Sequence, residues 1–375
     1  MAKITKLKKG ALDIASIRGI INKKAGREVA HSLQDNNPTE VSEWIPTGSR
    51  WLDAIICKGR PAGIPVGKIS EIAGLPGTGK SFLAAQIAGN AQKMGIDVVY
   101  FDSESAIDPS FMERAGCDLD RLMYVQAASV EFVLETIEEL LATGNKWLFI
   151  WDSLALTPSI SDVEGDFNPQ SSMAVKPRIL AKGMSKLTIP IADANATFLV
   201  LNQLKTNLGA RTPAQAMTEP YTTPGGKAMI YAYSLRVWLT ARRAKASFIV
   251  DDNGFRIGSE VKVKLEKSRF GTHGRTCNFK ILWGDDAVGV QDEESWFDAI
   301  QISERLEQSG AWFTLTHNDG SKEKFQRKQW VTKLESEKFR ESVLTIIEED
   351  VIMKFKNREG NAGDFYEPDE IPTED

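Results

Sequence analysis

Eight residues, GLPGTGKS from Gly74 to Ser81, carry the clearest chemistry in the chain. A glycine-rich turn of the form G-x-x-x-x-G-K-[ST], placed after an apolar strand and opening a helix, aims successive backbone N–H groups at a phosphate chain. In such a turn Lys80 neutralises the β and γ oxygens of a nucleoside triphosphate, and the Ser81 hydroxyl ligates Mg²⁺. The expected cradle is therefore Gly74, Leu75, Pro76, Gly77, Thr78, Gly79, Lys80, Ser81 and Phe82. A phosphate loop also needs a metal-side acid at the end of a neighbouring buried strand, and WLFIWDS supplies Asp152. Ser153 follows it, so no glutamate stands beside that acid to activate water. Glu104 is the candidate base, because it ends VVYFDSE, the strand expected after the loop's helix, at the edge where wound sheets hold ligands. Taken singly, Asp152 reads also as a helix cap and Glu104 more commonly as a surface acid; the phosphate loop favours chemistry for the first and position at the sheet edge for the second.

These residues need a sheet to hold them. From about Gly48 to Trp283, apolar runs (ISEIAG, DVVYFD, LMYVQ, WLFIWDS, TFLVLNQ, LRVWLTA, EVKVKLEKS) alternate with helical stretches. That alternation predicts an α/β fold with a doubly wound, mainly parallel sheet, and DDNG at 251–254 predicts a hairpin that makes the last strands an antiparallel extension. Residues 11–25 space Leu12, Ile14, Ile17, Ile20 and Ile21 as an amphipathic helix whose stripe needs a partner, in this chain or a neighbouring copy. The expected division is an N-terminal helix and linker over 1–45, a nucleotide-binding core over 46–285, a small C-terminal domain over 286–355 that includes the helix-prone EKFRESVLTIIEED, and an acidic, disordered tail over 356–375.

The chain has 375 residues, 42% hydrophobic and 26% charged, which excludes global disorder and a disulfide-stapled miniature fold. Its formal net charge of −5 conceals an asymmetry: residues 227–280 carry twelve Lys/Arg against four acids, and residues 281–375 eleven against twenty-three. A polyanion can be held at the basic segment while the acidic one screens it. Cys57, Cys117 and Cys277 are far apart and do not cluster with the histidines, so zinc is not expected. No apolar run reaches the span length of about 18 residues, and the N-terminus lacks a secretory core, so a soluble cytoplasmic protein without membrane contact is expected.

One further stretch stands out. Residues 204–224, LKTNLGARTPAQAMTEPYTTP, form an aperiodic loop inside a wound core, which is uncommon unless functional. It offers Lys205 and Arg211 to phosphates, Gly209 to mobility, and ends at Gly225, Gly226 and Lys227, where backbone can approach phosphate at a helix start. A second loop, 164–173, follows the Asp152 strand on the same edge, with Lys176 and Arg178 just beyond it.

FDSESAIDPSF, LFIWDS, LNQ followed by a long loop to TPGGKA, and GSEVKVKLEKSRFG occur in this order after the phosphate loop, and from about Thr47 to Trp283 the chain resembles the RecA-type homologous recombinases. The compact size and EKSR resemble their phage, UvsX-like branch. The resemblance implies a RecA-like core whose Glu104 polarises the attacking water, whose Asp152 orients the Mg²⁺ shell, and whose Gln203 senses the γ-phosphate. Asp108 would meet the adenine amino group and Phe111, where the family often has tyrosine, would stack on the ring. Lys267 and Arg269 match paired cations that reach a neighbouring subunit's ATP, Arg269 replacing the lysine usual in bacterial members. Leu208 matches an aliphatic side chain inserted between bases; Met173 and Arg178 belong to the second DNA loop, which is one residue longer than the bacterial pattern.

In function, the resemblance implies an ATP- and Mg²⁺-dependent, DNA-stimulated ATPase that polymerises on single-stranded DNA, pairs it with homologous duplex and exchanges strands. Recombination mediators and single-stranded-DNA-binding proteins are its expected partners, in a bacterial cell or a phage-infected host. The alternatives are a hexameric helicase on the same core, disfavoured by the short stretch before the core, and a non-catalytic ATP-clamped paralogue, disfavoured by the full set Lys80, Glu104, Asp152, Gln203 and Lys267.

Overall fold

A computed structural model describes residues 13–33, 37, 39–105, 107–165, 175–209, 212–241, 247–284 and 288–354. Its centre is a ten-stranded sheet. In chain order the strands are β1 (Ile69–Gly74), β2 (Asp97–Asp102), β3 (Leu122–Gln126), β4 (Trp147–Asp152), β5 (Thr197–Gln203), β6 (Leu235–Ala241), β7 (Phe248–Val250), β8 (Arg256–Ser268), β9 (Thr276–Leu282) and β10 (Gly289–Val290). Across the sheet they run β10-β9-β8-β6-β1-β5-β4-β2-β3, with β7 paired to β8. From β6 to β3 all neighbours are parallel, whereas β8, β9 and β10 add on antiparallel, as the hairpin signal at 251–254 predicts. That turn closes on Asp251, whose carboxylate accepts from the backbone N–H of Asn253 and Phe255 at 3.0 and 2.7 Å.

Strands covered on both faces must be apolar throughout, and β1 and β4 are buried at every position. Their side chains alternate between two cores. Ile72, Val98, Tyr100, Ile150 and Leu201 meet the Lys80–Lys93 helix through Leu83, Ala84, Ile87 and Ala91. On the opposite face Val99, Phe101, Phe149, Trp151 and Phe198 meet the Val130–Leu141 and Val175–Asp193 helices through Val133, Ile137, Leu180, Met184 and Leu187. Burying each such side chain is worth about 1.5–3 kcal/mol, so all three helices are pinned by packing rather than by propensity.

Beyond the sheet, the expected C-terminal helix lies at Glu337–Ile346. Three antiparallel strands, Leu306–Ser309, Trp312–Thr316 and Lys322–Gln326, accompany it and were not anticipated; KEKFQ turns only Phe325 fully inward, too sparse an apolar signal to read as a strand. Phe297, Phe313, Phe325, Trp330 and Phe339 cluster there, and this core is continuous with the one under the sheet. The last strand of the large sheet, β10, falls after residue 285, inside the stretch expected to begin the C-terminal domain.

At the other terminus the helix Ile14–Ala25 is capped by Asp13, which accepts from Ser16 N at 2.8 Å, and by left-handed Gly26. None of its residues is buried, and Ile14, Ile17, Ile20 and Ile21 are exposed. The segment after it reaches the core through an exposed Arg27–Asp193 pair at 3.1 Å, a contact of little energetic weight. Among the described residues no helix is long and apolar enough to cross a membrane.

Candidate functional site

The carboxyl ends of β1, β5, β4 and β2 lie side by side, with Gly74 opposite Gln203 and Asp102 opposite Asp152. The loop after β1 turns at Thr78, whose hydroxyl donates to Leu75 O at 2.8 Å, and enters the helix at left-handed Gly79 (φ 79°). The left-handed backbone demands glycine there, and a Cβ would in addition fall 2.5 Å from Ile281 Cδ1 and push that methyl aside. Lys80 folds back over its own loop and donates to Gly74 O and Leu75 O, each at 3.2 Å. Burial pushes the Lys80 amine below its ordinary pKa, while Asp152 and Glu104 oppose that.

Ser81 donates its hydroxyl to Asp152 Oδ2 at 2.7 Å, and Tyr100 donates to the same oxygen at 2.8 Å. Burial raises the Asp152 carboxyl, and those two hydrogen bonds work against the rise. On the far side of the Asp152 strand, Ser153 donates to Glu104 Oε1 at 3.2 Å. The turn carrying Glu104 is set by Asp102, whose Oδ1 accepts from Glu104 N and Ser105 N at 2.8 and 3.0 Å. A cleft of about 500 Å³ brings Lys80, Ser81, Glu104, Asp152 and Gln203 together. One hydroxyl and one carboxylate at its floor are hard oxygen donors, the ligand type that suits Mg²⁺.

The cleft's other wall is aromatic. Phe82 and Phe111 meet edge to face with centroids 4.3 Å apart, and both line the cleft. Trp283 and Arg256 line it too and were missed from sequence. The Arg256 guanidinium lies 3.9 Å over Phe248 and 5.1 Å from the Trp283 ring centre. No local pattern marks either residue; only the return of β8 and β9 beside the phosphate loop brings them here. Asp108 is not among the lining residues. It caps the Pro109–Arg114 helix, accepting from Ser110 N and Ser110 Oγ at 2.9 Å each, and these bonds lower its pKa.

After Gln203 the chain is more ordered than its aperiodic sequence predicts. Lys205–Thr206 pairs antiparallel with Tyr221–Thr222, and a short helix, Pro213–Thr218, starts where Thr212 accepts from Gln215 N at 3.1 Å. Proline at the first helical position and threonine before it are start signals that five further residues suffice to use. Leu208 projects into solvent with 92% exposure; Lys205 and Gly209 are exposed beside it. Gly225 and Gly226 both take positive φ (107° and 81°) before the Lys227–Ala232 helix. Arg178 is exposed on the Val175–Asp193 helix, whereas Lys176 is tied down by Leu154 O, Ala155 O and Thr157 O at 2.6–3.2 Å. Met173 and Arg211 lie outside the described residues.

Lys267 and Arg269 are nowhere near this cleft. Lys267 stands opposite Arg236 on β6, which stands opposite Glu71, and Glu71 precedes Gly74 by about 10 Å of strand. Arg269 N bonds Ser234 O, and Ser234 N bonds Ile69 O, at the amino end of β1. Both cations donate to the end of the Lys227–Ala232 helix: Lys267 Nζ to Ile230 O at 2.7 Å, and Arg269 to Tyr231 O at 2.7 Å. Burial, then Arg269 and Arg236, bring the Lys267 amine down to about 8.

A phosphate loop joined to acids on neighbouring parallel strands defines the class as a P-loop ATPase. Residues 12–288 match the model of the RecA N-terminal domain. The chain is 32% identical over 307 residues to protein RecA of Bifidobacterium breve, covering 82% of this chain and 73% of that one. Protein RecA of Saccharopolyspora erythraea is 30% identical over 304 residues, 81% and 82% of the two chains. The chain belongs to the RecA family. It is a DNA-dependent ATPase of recombination and repair, in a family that binds ATP and DNA and forms filaments.

Proposed function

We propose that this chain is a strand-exchange recombinase of the phage, UvsX-like branch, and that its ATP is held at the seam between two copies. One copy contributes the phosphate loop from Gly74 to Phe82, with Lys80 leaving its own carbonyls for the β and γ oxygens. Glu104, steadied by Ser153, takes the proton of the attacking water, and Gln203 faces the γ-phosphate. Phe111 stacks on the adenine, and Asp108 meets its amino group. Ser81 and Asp152 would hold Mg²⁺, which when bound neutralises charge on the phosphates. The neighbouring copy contributes Lys267 and Arg269, cations of the kind worth on the order of 10³ to 10⁵ in rate when supplied in trans.

The observation that carries this reading is the separation within one molecule: the cleft lies at the carboxyl end of β1, whereas Lys267 stands level with Glu71 in mid-strand and Arg269 near the amino end, and neither lines the cleft. Held by Ile230 O and Tyr231 O, the cations do not reach their own cleft. EKSR, with Arg269 in place of lysine, supports the phage branch. The stretch over 1–45, with its exposed isoleucines, serves as the docking arm to the next copy. Lys205, Leu208, Gly209, Arg211, Gly225, Gly226 and Lys227, with Met173 and Arg178, contact single-stranded DNA mainly through its backbone, an aliphatic wedge separating bases. Sequence is read by base pairing with homologous duplex rather than by the protein. Recombination mediators and single-stranded-DNA-binding proteins act beside it in the cytoplasm of a bacterial cell or infected host. The core over 46–285 performs the chemistry, and the acidic charge over 286–355 and 356–375 limits access of duplex DNA.

Electron microscopy of the protein with single-stranded DNA and a non-hydrolysable ATP analogue tests the seam. An open helix with nucleotide between subunits is expected; closed six-membered rings would replace the recombinase by a helicase.

A further inference from the structure

Behind Gln203 lies a buried polar set that the phosphate chemistry does not use. Asn202, fully buried on β5, donates Nδ2 hydrogens to Glu71 Oε1 and to Pro224 O, both at 3.0 Å. Its Oδ1 accepts from the backbone N of Gln203 at 2.9 Å. Glu71 on β1, also fully buried, receives Arg236 Nε on its other oxygen at 2.6 Å. Arg236, 4% exposed on β6, donates its remaining reach to Thr223 Oγ1 at 2.9 Å. Three adjacent strands and the returning end of the loop therefore meet in one set, and no polar atom of Asn202 is spare.

Desolvating a carboxylate and a guanidinium is costly, and packed apolar residues would often hold the same space as well or better. What such a pair supplies is a fixed arrangement. Here it fixes Asn202, and Asn202 grips both ends of the 204–224 loop: Gln203 at its start and Pro224 at its close. A carboxamide is a rigid plane, so its two hydrogen bonds link the Gln203 backbone to Pro224 through a single side chain. The same set ties Thr223 to Arg236, and Gly225 and Gly226 follow directly.

We propose that Asn202, backed by the Glu71–Arg236 pair, is the positioning residue that couples nucleotide occupancy to the polynucleotide-binding loop. This rests on the reading of Gln203 as the residue facing the γ-phosphate. A nucleotide that draws Gln203 toward its terminal phosphate moves Pro224 and Thr223 with it, and a polynucleotide that fixes the loop's return favours the same position of Gln203. The coupling is reciprocal.

The test measures the dissociation constant of a fluorescent non-hydrolysable ATP analogue on the full-length protein, with and without oligo-dT. The ratio of the two constants is the coupling, expected at about 5- to 150-fold in the parent. Asn202→Ala and Thr223→Val should bring it within about twofold of unity, while Thr223→Ser, which keeps the hydroxyl acceptor, should retain it. Thr223 is only half-buried and valine matches its shape, so that variant remains informative even where Asn202→Ala fails to fold. Gln203→Ala separates the two ideas. Coupling lost in Gln203→Ala but kept in Asn202→Ala and Thr223→Val overturns the link and leaves the reading of Gln203. Coupling lost in those two but kept in Gln203→Ala upholds the link and removes Gln203 as the γ-phosphate contact. Equal coupling in every variant, or none in the parent, overturns the proposal.

Discussion

Ser81 and Asp152, 71 residues apart in the chain, are joined by a 2.7 Å hydrogen bond. The bond spans two strands that are not neighbours: β5 runs between the loop's strand β1 and the acid's strand β4. The register of three strands therefore sets the floor of the cleft, and a slip in any one would part hydroxyl from carboxylate.

Lys80→Ala removes the cation facing the phosphates but no apolar packing of consequence, since its amine bonds only two loop carbonyls. DNA-stimulated phosphate release should fall by on the order of 10³-fold or more, with the thermal melting curve little changed. Undiminished turnover would remove the phosphate-loop assignment.

Lys267 titrates near 8, so its charge is complete well below that pH and disappears as pH rises through it. A neighbour's triphosphate against this amine would raise it again, so the charge matters at assembly: ATP-dependent association of subunits, followed by light scattering, should weaken on the alkaline side of about 8, and Lys267→Arg, charged throughout, should flatten that limb. In mixtures, Lys267→Ala subunits should disable the neighbour's bound ATP; a defect confined to their own ATP contradicts the trans role.

Asp53 is buried beneath Thr47, which donates its N–H and hydroxyl to Oδ1 at 3.1 and 2.7 Å, and burial raises the carboxyl to about 8. An unfolded chain releases this proton near pH 4, so between about 4 and 8 the folded state binds the extra proton and stability declines as pH rises. Asp53→Asn keeps the acceptor without the proton. Its melting temperature should exceed the parent's at pH 8, and its pH dependence over that window should be flatter; parallel curves would argue for an ionised Asp53.

Binding of oligo-dT should weaken steeply with salt, the logarithmic slope measuring the phosphates neutralised at about 0.7 per contact. Lys205→Ala should reduce that slope by roughly one contact's worth. A slope unchanged in fluorescence-anisotropy titrations would take Lys205 off the polynucleotide path.

The parallel core was legible because buried strands such as WLFIWD and TFLVLNQ are apolar throughout and end in the polar residues that do chemistry. The phosphate loop was legible because its spacing is dictated by the phosphate. Arg256 and Trp283 were not, since they reach the cleft through long-range pairing of β8 and β9, which leaves no trace in local spacing. Lys176 shows another limit of local spacing: nothing beside a DNA-loop candidate tells that three carbonyls hold this lysine. The small sheet around Phe313 and Phe325 was hidden by charged residues on its outward face.

A single sheet whose receptive hollow and paired cations lie on different parts of its surface would give each molecule a socket and a plug that differ. Such surfaces mate head to tail and never by a two-fold axis, so rows of them have a direction. On the proposed arrangement, in which each cation pair serves the next molecule's cleft, a row of n molecules holds n − 1 complete engines and its terminal socket stays idle however much fuel is present.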